Sequence, residues 1–189
     1  VENSSSVQAV DTRTRIKYTA QLHDNLKLVT YTEMDAIWGD NPKDSSYGDR
    51  GADAVAIEIK NAYADFNFAN LQWQIGTQGF ADATGGFVYN DDMTGLKINY
   101  RADNYVASLR WIRWYEGYGT TQFGGEGNGV DYDAYDFIFN YKAGNHRFAP
   151  FITYMRTNDG GGFDGTAGEP QDLYFIGINY ALKFGNYNW

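Results

Sequence analysis

Apolar and polar residues alternate with a period of two along most of this chain, the spacing at which a β-strand shows two different faces. Near the C-terminus, Tyr174, Ile176, Ile178, Tyr180, Leu182 and Phe184 share one parity, and Phe175, Gly177, Asn179, Ala181 and Lys183 the other. Ile16, Tyr18, Ala20 and Leu22 likewise oppose Arg13, Arg15, Lys17, Thr19 and Gln21. Leu71, Trp73 and Ile75 oppose Gln72, Gln74 and Gln78; Leu96, Ile98 and Tyr100 oppose Lys97, Asn99 and Arg101. The alternation predicts nine strands, at 12–23, 26–39, 54–68, 71–79, 93–101, 105–117, 130–142, 146–156 and 172–184. Most exceed the roughly 5 to 6 residues of a strand in a soluble protein and match the roughly 9 to 11 of a tilted membrane strand.

The connections carry more specific information. Asp24-Asn25, Ala69-Asn70, Ala102-Asp103-Asn104 and Ala143-Gly144-Asn145 are tight and rich in the Asp and Asn of short hairpins. The connections at 40–53, 80–92, 118–129 and 157–171 are long and rich in Gly and Asp. Short and long alternate strictly, as in a transmembrane barrel with short turns at one rim and longer loops at the other. The fold expected is all-β: an antiparallel up-and-down transmembrane β-barrel, with 1–189 as a single domain. Residues 1–11 form a loop tail, 12–184 the strands, and 185–189 a further turn and strand start. Aromatic residues gather at strand ends, at Trp38, Phe66, Phe68, Tyr100, Tyr105, Trp114, Tyr115 and Tyr118, as interfacial girdles require.

Two strands break parity. Val55, Ile57 and Ile59 carry the apolar face first, and Ala62, Ala64, Phe66 and Phe68 carry it afterwards, which predicts a β-bulge near Lys60-Asn61. Arg110, Trp111, Ile112 and Arg113 suggest either a second slip or an ordinary irregular strand.

Composition narrows the function classes. The chain has 189 residues, no Cys, and a formal net charge of -9, which speaks against nucleic-acid binding. Without Cys and with only two His, His23 and His146, each at a tight turn, a thiolate or zinc centre is not expected. No apolar run reaches the roughly 18 to 20 residues of a membrane helix. No cofactor and no catalytic residue is expected: Ser is scarce outside 4–6 and 45–46, and the Gly-rich stretches at 124–125 and 160–162 lack the Lys and helix of a phosphate loop. Glu33, Asp35, Glu58 and Asp65 suit a wet lining better than an acid/base pair. An oxygen-ligand calcium loop at 158–164 matches no defined spacing.

The segments TRTRIKYTAQLHDNLKLVTYTEMDAIWG, AVAIEIKNAYADFNF and LQWQIGTQG resemble the Gram-negative general porins, most closely the homotrimeric porins of sulfate-reducing and related bacteria. The similarity covers about residues 12 to 80. It implies an outer-membrane location, a homotrimer in contact with lipid and lipopolysaccharide, and passive diffusion of small hydrophilic solutes and ions through a water-filled channel. Members of the family have about 16 strands. Single-chain bacterial barrels have even strand numbers. The chain therefore reads as an internal piece of a larger barrel, lacking one strand upstream and several downstream; a complete barrel of about eight to ten strands is the alternative.

The resemblance also implies a constriction. With one strand missing upstream, 80–92 is the third long loop, the one that in the family folds into the lumen. Its acidic residues, Asp82, Asp91 and Asp92, would then face the basic Arg13, Arg15 and Lys17, with Lys60, Lys97 and Arg101 further round the wall. Lumen positions look basic, including Arg110, Lys142 and Lys183, while the loops look acidic at Asp40, Asp44, Asp49, Asp53, Glu126, Asp159, Asp164 and Glu169, which favours anions. The other functions open to such a chain are a non-conducting barrel acting as scaffold or surface enzyme, and a secreted β-sandwich or lectin.

Overall fold

The computed structural model describes residues 11–37, 56–116, 131–157, 170–184 and 187–188. They form nine long strands: β1 (Asp11–His23), β2 (Leu26–Ile37), β3 (Ala56–Phe68), β4 (Leu71–Ala81), β5 (Asn90–Arg101), β6 (Tyr105–Glu116), β7 (Asp131–Ala143), β8 (His146–Thr157) and β9 (Asp172–Phe184). A two-residue strand, β10 (Tyr187–Asn188), pairs with Lys183 and Phe184 as the expected tenth strand. All ten lie in one antiparallel sheet in chain order, with no crossover.

Each tight connection makes a hairpin. At Ala69-Asn70 both residues adopt left-handed backbone, with φ of 51° and 60°. That is the mirror-image turn whose twist matches two antiparallel strands. The bulge in β3 falls where the parity change places it. Tyr31 pairs with Asn61 and Thr32 with Ile59, which leaves Lys60 as the extra residue. Ile57 and Ile59 therefore share a face with Ala62 and Ala64.

The sixth strand also carries a slip, one of the two readings its pattern left open. It keeps perfect alternation from Val106 to Arg113, and the slip comes one residue later, where Arg113 faces Asp133 and Tyr115 faces Tyr132. Ile112 keeps its regular place on the face of Val106, Ser108 and Arg110, where it joins an apolar cluster. The connection expected at 80–92 is also shorter: the β4–β5 ladder runs on to Ala81 opposite Asn90, which leaves 82–89 as the loop and puts Asp91 and Asp92 in β5.

The sheet curls toward one face. Asn179 Nδ2, on β9, donates to Ala83 O at 2.9 Å. Ala83 stands two residues beyond the end of β4, a reach of at most about 7 Å. In a flat sheet the five strand spacings from β4 to β9 would span about 24 Å. Only a strongly rolled sheet brings the two within one hydrogen bond.

Burial is inverted relative to a soluble domain. On the convex face Ile57 is 65% exposed, Tyr18 64% and Ile176 77%, and Ile59, Ile75, Leu109, Phe137 and Ile178 are exposed as well. On the concave face Glu33, Asp65, Gln78, Asn99, Ser108, Asp136 and Thr153 are buried. The convex face is zoned. Rings line its tight-turn end, with Phe66 stacked on Trp73 (6.3 Å), Tyr105 against Tyr100 (5.9 Å) and Phe139 (5.2 Å), and Phe148 against Tyr180 (5.1 Å). At the opposite end Tyr154 stacks between Tyr135 (5.8 Å) and Tyr174 (4.9 Å). Ile75, Leu109, Ile152 and Ile176 lie between the two bands.

Candidate functional site

The concave face carries the chain's polar chemistry, and the 82–89 loop lies across it. Asp82 organises the loop. Its backbone N–H bonds Tyr89 O at 3.0 Å, and Gly85 N–H bonds Asp82 O at 3.1 Å. Asp82 Oδ1 accepts from Thr84 N (2.7 Å), the Thr84 hydroxyl and Gly86 N (3.2 Å), and Oδ2 from Val88 N and Tyr89 N (3.0 Å). Burial alone would push this carboxyl up. The Thr84 hydroxyl and the N–H groups of Tyr89, Val88 and Gly86 outweigh it and hold the pKa at about 2. Gly85 and Gly86, with φ of 87° and 115°, supply backbone that other residues rarely adopt and let the loop turn back on itself.

Two kinds of contact pin the loop to the sheet. Phe80, Tyr89 and Met93 bury their side chains with Ile112 of β6, Ala134 of β7 and Met155 of β8, and Val88 and Phe175 pack against this cluster. The Tyr89 hydroxyl, buried beneath the loop, donates to Asp136 Oδ2 on β7. Burial, followed by the Asp136 charge, pushes the Tyr89 pKa up, so this hydroxyl stays a donor at any physiological pH. Arg110 Nη1 on β6 donates to Ala81 O at 2.7 Å and lies 3.9 Å from Asp136 Oδ2. With Asn179, the anchors run from β6 to β9.

The charged residues singled out in the sequence take their contacts mainly from neighbouring strands and from the loop itself. Arg13 makes a two-pronged bond to Asp35 (2.8 and 3.0 Å) and also approaches Glu33 at 3.4 Å. Arg15 pairs with Glu33. Both cations are thus matched by the neighbouring strand. Lys17 is exposed, opposite Tyr31. Lys60, the bulge residue, bonds Asp92 at 2.9 Å and Glu58 at 3.4 Å. Lys97 lies over the Phe80 ring at 4.8 Å, and Arg101 donates to Gln72 Oε1 at 2.9 and 3.3 Å. Asp82 is turned into its own loop, Asp91 is exposed and accepts from Asp92 N at 2.7 Å, and Asp92 faces Lys60. The structure therefore brings Lys60 to Asp92 and Lys97 to Phe80, and does not bring the loop acids to Arg13, Arg15 or Lys17.

Asp65 is held by Gln72 (3.1 Å) and Gln74 (3.2 Å), and Glu58 faces Glu33 across β2 and β3. His23 and His146 sit exposed at tight turns, against Asn25 Oδ1 (2.8 Å) and the Tyr180 hydroxyl (2.7 Å). Among the described residues no group of three or more His, Asp or Glu side chains could hold a metal. The calcium-loop candidate, most of the acidic loop residues, Trp38 and Tyr118 lie outside the described residues, and the side chains of Trp114 and Tyr115 are not among those described.

Sequence reasoning missed Asp136, Tyr89 and Asn179. Asp136 had a signal, an acid flanked on its own face by Ala134 and Ile138. Tyr89 and Asn179 had none, because their partners are defined only by curvature. A comparison with protein-family models finds no match for this chain, and a comparison with curated proteins finds none either.

Proposed function

We propose that the chain forms wall strands and the inward-folded loop of a porin-type transmembrane β-barrel in a Gram-negative outer membrane, a water-filled channel for passive diffusion of small hydrophilic solutes and ions. One observation carries it: outside the apolar cluster beneath the 82–89 loop, the convex face of the curl holds the exposed isoleucines, leucines and rings, and the concave face holds Glu33, Asp65, Asn99, Ser108 and Asp136. In water, exposing that many isoleucines, leucines and aromatics forfeits about 1.5–3 kcal/mol per large side chain. Acyl chains remove the cost. Among the described residues no second sheet or helix covers the convex face. Rings at both ends with aliphatics between match the two girdles and apolar band of a membrane barrel. The loop on the concave face matches an element that narrows a pore. Closure into about 16 strands, assembly as a homotrimer and contact with lipopolysaccharide follow from the porin resemblance and belong to the same proposal.

The test is a planar bilayer. The detergent-extracted protein should insert and give discrete conductance steps in potassium chloride. Protein that stays monodisperse without detergent would overturn the membrane reading. A second reading, a non-conducting barrel acting as scaffold, draws on the apolar cluster under the loop, which fills part of the concave side. Stable insertion without conductance would favour it.

A further inference from the structure

The ladders of the concave face hold both kinds of charge pair. Arg13 faces Asp35, Arg15 faces Glu33 and Lys27 faces Asp65, whereas Glu33 also faces Glu58. Two pairs of like cations stand toward the tight-turn end of β5–β8. Lys97 is the register partner of Arg110, and Lys142 of Arg147. Like charges directly opposite each other on one face are destabilising. These positions border a hollow of about 540 Å³ that Arg101 also lines.

Of the five cations there, only Arg110 has a carboxylate of the described residues within ion-pair distance, that of Asp136 on β7. Among the described residues no carboxylate lies within ion-pair distance of Lys97, Arg101, Lys142 or Arg147. Arg101 is held by the neutral Gln72, and Arg147 by the neutral Asn140 at 2.6 and 3.2 Å. Arg110 reaches Asp136 only at 3.9 Å, and its buried Nε has no hydrogen-bond partner. Asp103, in the β5–β6 turn, is the one acid among the lining residues, against five cations. Amides oriented to hold guanidinium groups, with the positive charge left open, are what an anion site requires: geometry set by neutral acceptors and donors kept for the ligand.

We propose that this hollow is an anion-binding vestibule for small multivalent oxyanions, holding them between the paired cations of β5–β6 and β7–β8. The proposal rests on the concave face being water-filled. It goes beyond a pore lining, because it assigns saturable binding to one end of that face. A hollow of this size admits a solute of several non-hydrogen atoms with part of its hydration. The two like-charge pairs, costly when empty, are relieved by the ligand.

The full chain, folded in detergent micelles, is titrated calorimetrically with inorganic tripolyphosphate at fixed chloride. Wild type should bind saturably, with an affinity that falls as salt rises. Arg101→Gln alone, and Lys142→Gln/Arg147→Gln together, should each weaken binding about tenfold or more, the loss expected for a charged hydrogen bond. The double variant removes a like-charge pair, so its unfolding midpoint should not fall, which separates lost binding from lost folding. Absence of saturable binding by folded wild type, or equal affinity in wild type and both variants, would overturn the vestibule. Conductance measured on the same samples separates the two ideas. Charge-dependent binding without conductance keeps the vestibule and removes the pore. Conductance without binding does the opposite.

Discussion

The Tyr89 hydroxyl, from a loop, donates to the fully buried carboxylate of Asp136, 47 residues further along the chain. This bond fastens the 82–89 loop to the middle of β7. Replacing Tyr89 by Phe keeps the ring in its apolar cluster and removes the donor. Asp136 then stays buried with one fewer partner, at a cost of about 1–3 kcal/mol. Denaturant unfolding in micelles should show that loss. A cycle with Asp136→Asn should show coupling of about 0.5–3 kcal/mol, and additive effects would mean that the two side chains do not act together.

The loop has its own dependence on pH. Asp82 has a folded pKa of about 2, below its ordinary 3.8, so its contribution is fully present above pH 4. As pH falls from about 4 to 2 the carboxyl protonates, its four N–H donors lose a charged acceptor, and the contribution disappears. The protection factors of the Gly86, Val88 and Tyr89 amides, taken against the intrinsic exchange rate at each pH, should fall across that interval in wild type. In Asp82→Asn they should be low at every pH. Wild-type protection factors unchanged from pH 7 to pH 2 would contradict this account.

Gly95 is set by close approach. A Cβ there would lie 2.3 Å from Trp111 O and 3.1 Å from Phe80 Cζ. Gly95→Ala must shift β6 or displace the ring under the loop, at about 1–3 kcal/mol. The unfolding midpoint should fall, and proteolysis within 82–89 should rise with it.

The membrane reading makes a face-specific prediction. Ile178→Arg on the convex face should cost about 2–4 kcal/mol in a bilayer, the penalty for a cation at the hydrocarbon midplane. Thr19→Arg on the concave face should stay within about 0.5 kcal/mol, as surface substitutions do. Unfolding from lipid vesicles measures both. Equal, small costs would place water on both faces.

The alternation of residues by itself determined the strands, their two faces, the tight hairpins and even the bulge at Lys60, because strand period and turn chemistry act over a few residues. It could not show which partner each charge would take. Arg13 meets Asp35 rather than Asp82 because neighbouring strands come into register, whereas the loop is drawn toward β6–β9 by Phe80 and Tyr89. Ile112 looked like a slip in the pattern and is instead a regular inward residue beneath that loop. Contacts such as Asn179 to Ala83 join residues 96 apart, and only the roll of the whole sheet decides them. Local propensity sets which way a side chain points; curvature sets what it finds there.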